Sequence, residues 1–142
     1  PDEVLSRPRT AFVAGFIQGN NVFEGKAGLV RDGVLEVMTA LGTFRVPLLD
    51  LPAPPTGSAL SFSVRAERLI ERPGEGVPNH IALHCITVEY FGAFRRHVLE
   101  GAGGTVVKYD QFGALPQSIR EGENIVLGWS LENGVLHRSP PA

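Results

Sequence analysis

Apolar residues along this chain alternate with polar ones over short stretches, and glycine and proline break the stretches at close intervals. That pattern belongs to strands joined by tight turns. Val22 to Arg31 and Val34 to Ala40 predict two strands joined through Asp32-Gly33, a pair that accepts the positive φ of a hairpin turn. Leu41-Gly42 turns the chain into Thr43 to Leu48, and Pro52-Ala53-Pro54-Pro55 with Thr56-Gly57-Ser58 forms a loop no central strand could contain. From Ala59 to Arg65, Leu60, Phe62 and Val64 alternate with small residues, as in a strand with one buried face. A loop is expected from Glu71 to Asn79. The run His80 to Phe91 is long for one strand and predicts a bend or bulge. Phe94 to Glu100 and Thr105 to Tyr109 read as a hairpin around Gly101-Ala102-Gly103-Gly104, and Glu123 to Leu131 with Val135 to His137 as another around Asn133-Gly134. Only Thr10 to Gln18 departs from this pattern. There Phe12, Val13, Phe16 and Ile17 share one helical face before Gly19 and two asparagines stop it.

The expected fold is all-β, an OB-fold-like barrel or pair of barrels of about nine or ten short strands with one short N-terminal helix. Residues 1–20 are read as a linker with the helix, 21–137 as the β domain, with two interwoven subdomains at 21–50 and 59–137, and 138–142 as a tail.

Composition narrows the possibilities. With 142 residues, 43% of them hydrophobic, the chain can bury a real core without staples. Thirteen Lys and Arg against fifteen Asp and Glu give a net charge of −2, which offers no single-sign field for nucleic acid or an anionic membrane. One cysteine, Cys85, excludes an intramolecular disulfide and a four-cysteine zinc site. No run approaches the length of a membrane span and no charged-then-apolar leader opens the chain, so a soluble, cytoplasmic protein is expected. Pro1 at the start, with Met38 the only methionine, points to a piece of a longer protein.

Catalytic constellations are missing. Gly25-Lys26-Ala27 lacks the loop spacing and the hydroxyl of a phosphate loop. His84 and Cys85, adjacent on a strand, point to opposite faces, so Cys85 reads as a buried structural thiol. His80 and His84 would lie about 13 Å apart on a strand, too far for one metal ion. Arg95-Arg96-His97 reads as a solvated edge strand, with a phosphate or acidic partner as the alternative. Trp129 and Tyr90 are expected to fill the core, with ligand stacking as the alternative. Phe12 and Phe16 either cover the barrel or seat a neighbouring domain. Arg65 and Glu67 form a pair able to fix the loop from Ala66 to Asn79, set against a plain surface ion pair.

The order of the motifs carries a resemblance. Phe12-Val13-Ala14-Gly15-Phe16-Ile17-Gln18-Gly19-Asn20-Asn21-Val22-Phe23-Glu24-Gly25 resembles the F-V-A-x-F-I-G-x-x-N-x-F-x-G junction of ABC importer ATPases. Pro1-Asp2-Glu3-Val4 with Arg7-Pro8 is similar to the end of the linker before it. Ser63-Val64-Arg65-Ala66-Glu67-Arg68-Leu69-Ile70 is similar to the family's V-x-V-R-P-E-x-I, with Ala66 in place of proline. Val88-Glu89-Tyr90-Phe91-Gly92 and the run Glu121 to Trp129 match its later x-x-Y-x-G and x-G-x-x-V-x-L-x-W.

The resemblance implies the C-terminal transport-associated OB (TOBE) regulatory domain of an ABC transporter ATP-binding subunit, of the polyamine, iron or sugar importer kind. It implies no catalysis or cofactor in this chain, with ATP and magnesium held in a preceding nucleotide-binding domain. The implied partners are a second copy in a homodimer, that nucleotide-binding domain, the membrane permease subunits indirectly, and a small effector. The implied location is the cytoplasmic side of the inner membrane, and no nucleic-acid partner is expected. The alternative is an OB module that binds a small ligand, an oxyanion or polyamine, for which Ser58, Ser61, Ser63 and Lys108 are available.

Overall fold

A turn of two residues decides the first hairpin. Asp32 and Gly33 adopt φ of 54° and 76°, the left-handed pair whose twist matches that of the strands it joins. On either side run β1 (Asn20–Arg31) and β2 (Val34–Thr39), and β3 (Gly42–Pro47) continues the meander. The structure, a computed structural model, describes residues 19–113 and 119–137. The expected helix over Thr10–Gln18, with Phe12 and Phe16, and the tail at 138–142 lie outside the described residues.

The remaining strands are β4 (Ala59–Arg65), β5 (Ile70–Glu71), β6 (Asn79–Tyr90), β7 (Phe94–Glu100), β8 (Val106–Phe112), β9 (Asn124–Trp129) and β10 (Gly134–His137). They make two antiparallel five-stranded sheets, ordered β10-β4-β1-β2-β3 and β5-β9-β6-β7-β8. Both follow one plan. A central strand of 12 residues, β1 or β6, is followed by a two-strand meander on one side and flanked on the other by β4 or β9. The fifth strand of each sheet is exchanged. After β4 a 3₁₀ turn at Ala66–Arg68 sends β5 to pair with β9, and after β9 a 3₁₀ turn at Leu131–Asn133 returns β10 to β4.

Three expectations are corrected here. The Pro52–Ser58 loop does not mark a boundary between sheets, because β4 pairs with β1 across it; the first sheet combines residues 20–65 with 134–137. Asn133-Gly134 is not a hairpin turn. Gly134 has φ −95°, and β10 joins β4 instead of folding back on β9. Ile70–Glu71, expected as loop, forms the short swapped strand β5. The expected irregularity in β6 is present as a register shift between Cys85 and Thr87, and β1 carries one between Ala27 and Val30.

Alternation along these strands fills the core. In the first sheet Phe23, Leu35, Val37, Phe44, Val46 and Phe62 are buried, and in the second Ile81, Leu83, Cys85, Leu99, Val107 and Leu127. Trp129 joins the two. It belongs to β9 of the second sheet, yet its ring stacks on Phe23 at 5.7 Å and lies 5.0 Å from Phe44 and 6.2 Å from Phe62. Its backbone thus sits in one sheet and its side chain in the aromatic core of the other, so neither sheet is packed without the other. Tyr90 does not share this role: it is exposed at the end of β6.

Candidate functional site

Where the described chain begins, four elements converge. Gly19, with φ 63°, accepts a hydrogen bond at its carbonyl from the Ala66 N–H at 2.7 Å. That bond needs an N–H a proline would not supply. A side chain at Gly19 would place its Cβ 2.6 Å from Asp110 Oδ2 and 2.7 Å from an Arg96 guanidinium nitrogen. Glycine is required there twice, for the left-handed backbone and for the space.

Beneath Gly19 lies the main electrostatic feature of the fold. Arg96 on β7 donates from Nε to Asp110 Oδ1 at 2.8 Å and from Nη2 to Asp110 Oδ2 at 2.9 Å, a bidentate pair between cross-strand neighbours. Both side chains are 4% exposed. The hydrogen bond to Asp110 raises the Arg96 pKa against the burial that would lower it, so the guanidinium stays charged.

This overturns the reading of Arg95-Arg96-His97 as a solvated edge. β7 is an interior strand between β6 and β8. Arg96 and His97 are both buried, on opposite faces. Arg95 donates to Gln111 at 2.8 Å. Strict alternation assumes that one sheet face meets solvent, whereas at Arg96 the outer face is covered by Gly19.

Two asparagines tie the sheets together. Asn21 on β1 donates to the Lys108 carbonyl and accepts from the Lys108 N–H, both at 2.8 Å. Asn79 on β6 accepts from the Arg45 N–H at 2.7 Å and donates to the Arg45 carbonyl at 3.0 Å. Lys108 and Arg45 lie on β8 and β3, the end strands of their sheets. Each amide therefore mimics one peptide group of an added strand and closes the other sheet's edge. In the sequence Asn21 reads as a helix stop and Asn79 as loop punctuation, not as clamps; the signal for a clamp is an asparagine within the first two residues of each 12-residue strand.

Arg65 and Glu67 are paired, Nε to Oε2 at 2.9 Å, but Arg65 ends β4 while Glu67 sits in the 3₁₀ turn. Their side chains are 59% and 29% exposed, so screening leaves little net energy. Arg65→Ala is expected to change unfolding stability by under about 1 kcal/mol in urea titration; a loss of several would make the pair a structural anchor.

His97 is a second buried polar group. Its Nδ1 donates to the Tyr109 carbonyl at 3.1 Å, its ring stacks on Tyr109 at 5.1 Å, and Nε2 has no partner among the described residues. Burial lowers its pKa below the usual histidine value, partly offset by the Tyr109 bond. Tyr109 in turn donates to Glu71 of the swapped strand at 2.7 Å, and burial, then that bond, raise its pKa. The linkage sign is set by His97 staying neutral in the fold. Above its unfolded pKa of about 6.5 both states are neutral and nothing is lost; below it the unfolded chain gains a proton the native core refuses. Stability is expected to fall as pH drops below about 6.5, by at most about 1.4 kcal/mol per pH unit from this group, until the lowered native pKa is passed. His97→Gln, which keeps a donor for Tyr109, should remove that share of the slope in urea unfolding; an unchanged slope would contradict it.

The other expected site residues stay apart. Ser61 and Ser63 bracket His137 at 3.2 and 2.9 Å, Ser58 caps the Pro55 carbonyl, and the Lys108 backbone is held by Asn21, so they do not form one pocket. His80 bonds the Gly74 carbonyl and His84 bonds Asn124, both exposed. Cys85 is buried, and burial followed by Glu121 and Glu123 raises its pKa, the opposite of an activated thiol. Among the described residues no three His, Cys, Asp or Glu gather as a metal site would need, and no helix is long and apolar enough to cross a membrane.

No protein-family model matches the chain. Its relatives are nonetheless consistent. It is 30% identical over 139 residues to the spermidine/putrescine import ATP-binding protein PotA of Rubrobacter xylanophilus, covering 96% of this chain and 36% of that protein. The PotA of Trichormus variabilis is 29% identical over 143 residues, with the same coverages. Over nearly its whole length the chain is thus similar to part of these import ATP-binding proteins. An uncharacterized ABC transporter ATP-binding protein of Escherichia coli, YdcT, agrees at 29% identity over 135 residues, or 92% of this chain and 32% of that one. The chain thus spans about a third of the length of these relatives. Among solved structures, the cytoplasmic molybdate-binding protein ModG superposes with a TM-score of 0.66 at 18% identity, over 82% of this chain and 94% of ModG. That likeness establishes a shared all-β fold of the OB-barrel kind. Within the importer junction motif, the structure gives two residues a physical reason. Asn21 is an inter-sheet clamp, and Gly25 lies where any Cβ would strike the Met38 carbonyl oxygen.

Proposed function

We propose that this chain is the regulatory and dimerising module of an ABC importer ATP-binding subunit and performs no ATP chemistry itself. The observation that carries the reading is its correspondence, over nearly its whole length, with about a third of the length of such subunits. ATP and magnesium belong to a preceding nucleotide-binding domain, which acts with membrane permease subunits, at the cytoplasmic face of the inner membrane. Spermidine and putrescine, named for the relatives, make polyamines the first choice of transported substrate. The module acts by contacting its counterpart on a second subunit differently in the open and closed states of the ATP sites. The fold suits this work: a rigid, cross-clamped pair of sheets transmits a displacement without absorbing it.

The test is ATP turnover by the parent subunit with and without the region beginning at Gly19. Turnover should persist without it while its dependence on subunit association changes; identical kinetics of the two forms would refute a regulatory role. The likeness to ModG favours a second reading, capture of a small oxyanion. Calorimetry of this chain against molybdate, tungstate, sulfate and polyamines decides it, since no heat with any of them removes an effector site from this module.

A further inference from the structure

At the joint between the sheets a cleft of about 360 Å³ is lined by charges of both signs that do not meet each other. Glu36 and Arg45 stand directly opposite one another across β2 and β3, and Arg31 pairs with Val34 across the β1–β2 hairpin. Glu36 and Val34 are two residues apart on β2 and so share a face. Asp32, in the hairpin turn, adds a second carboxylate to the lining. Among the described residues none of these four charged side chains makes a hydrogen bond or an ion pair. The rest of the lining is apolar and includes the segments that cross between sheets, because Pro78 leads into β6 and Leu131 opens the 3₁₀ turn after β9. Leu29, 67% exposed, adds apolar surface without cover. The cleft is preformed: Asn79, the residue after Pro78, holds the Arg45 backbone at both its N–H and its carbonyl, so the clamp sets the distance between the two sides.

We propose that this cleft binds a free α-amino acid with an apolar side chain. Charge selects the class. Two guanidiniums beside two carboxylates leave the lining neutral, so a simple oxyanion is met by the like charge of Asp32 and Glu36, and a polyamine by that of Arg31 and Arg45. A zwitterion satisfies both signs at once. Spacing narrows the class to the α form, because directly opposed residues on paired strands have Cβ atoms about 4.5–5.5 Å apart. Glu36 and Arg45 therefore present opposite charges side by side, as the ammonium and carboxylate of an α-amino acid are carried on one carbon. The guanidinium takes the ligand carboxylate through two parallel hydrogen bonds, and the protein carboxylates accept from the ligand ammonium. Leu29, Val34, Pro78 and Leu131 are left to cover the ligand side chain. The ligand then touches the first sheet and the segments that cross to the second, so its binding tightens the joint.

The test is calorimetry of the full 142-residue chain against L-leucine, L-methionine and L-phenylalanine, followed by the N-acetyl and amide derivatives of whichever binds best. At least one amino acid should bind. The N-acetyl form keeps only the carboxylate and the amide only the ammonium, and each should bind about tenfold more weakly or worse, the worth of a lost hydrogen bond to a charged group. Arg45→Gln and Glu36→Gln should each weaken binding by a similar factor. Neither side chain is bonded within the fold, so urea unfolding of both variants, followed by Trp129 fluorescence, should match that of the parent chain without ligand. No heat with any of the three amino acids would overturn the proposal. A derivative that binds as tightly as its parent would make this a site for one charge only, and unchanged affinity in both variants would place the ligand elsewhere; either result overturns it too. Neither sedimentation nor ATP turnover enters these readings, so the regulatory role and this site stand or fall separately.

Discussion

Asp110→Ala is expected to destabilise the fold by about 3–5 kcal/mol, a large share of the roughly 5–15 kcal/mol that holds a domain together. The reason is asymmetry, not the strength of the bridge. Arg96 and Asp110 are both 4% exposed, so removing the carboxylate takes two charge-assisted acceptors away from a permanently charged, buried guanidinium. Replacing both partners by apolar residues, Arg96→Met with Asp110→Leu, should recover most of the loss, because a buried pair repays little beyond its own desolvation. Trp129, fully buried and the only tryptophan, reports the transition by fluorescence in urea. A loss under about 1 kcal/mol for Asp110→Ala would place the pair in the class of screened surface bridges and contradict the burial.

The asparagine clamps give the second large effect. Asn79→Ala leaves the N–H and carbonyl of Arg45 without their partners at the end strand of the first sheet, and Asn21→Ala does the same to Lys108 in the second. Each variant should lose about 1–3 kcal/mol, and the two losses should be similar, since the clamps occupy equivalent places in two sheets of one plan. Because the fifth strands are exchanged and Trp129 packs across the sheets, both variants should still unfold in one transition by fluorescence and by circular dichroism. Two separated transitions would mean the sheets are independent units, against the interwoven topology.

The strands were legible because their determinants are local. Leu60, Phe62 and Val64 alternate as a half-buried strand must, and Asp32-Gly33 accepts the two positive φ values a tight hairpin needs. What escaped depends on partners distant in sequence. Asn133-Gly134 has the composition of a hairpin turn, but β10 is drawn to β4, some seventy residues away, and nothing near Gly134 encodes that choice. Arg96 and His97 look like a polar edge because alternation presumes one wet face; β7 is covered on both. Asn21 and Asn79 carry turn-forming residue types, and only the opposite sheet's edge turns them into clamps. Arg65 and Glu67 do meet, yet near solvent, where the meeting is worth little. The family resemblance, by contrast, was written along the whole chain as an ordered series of short motifs, each weak alone.

Whether this module dimerises is read by sedimentation equilibrium of this chain across micromolar to high micromolar concentrations. A concentration-dependent rise from the mass of one 15.3 kDa chain toward twice that value is expected. A strict monomer throughout would contradict it.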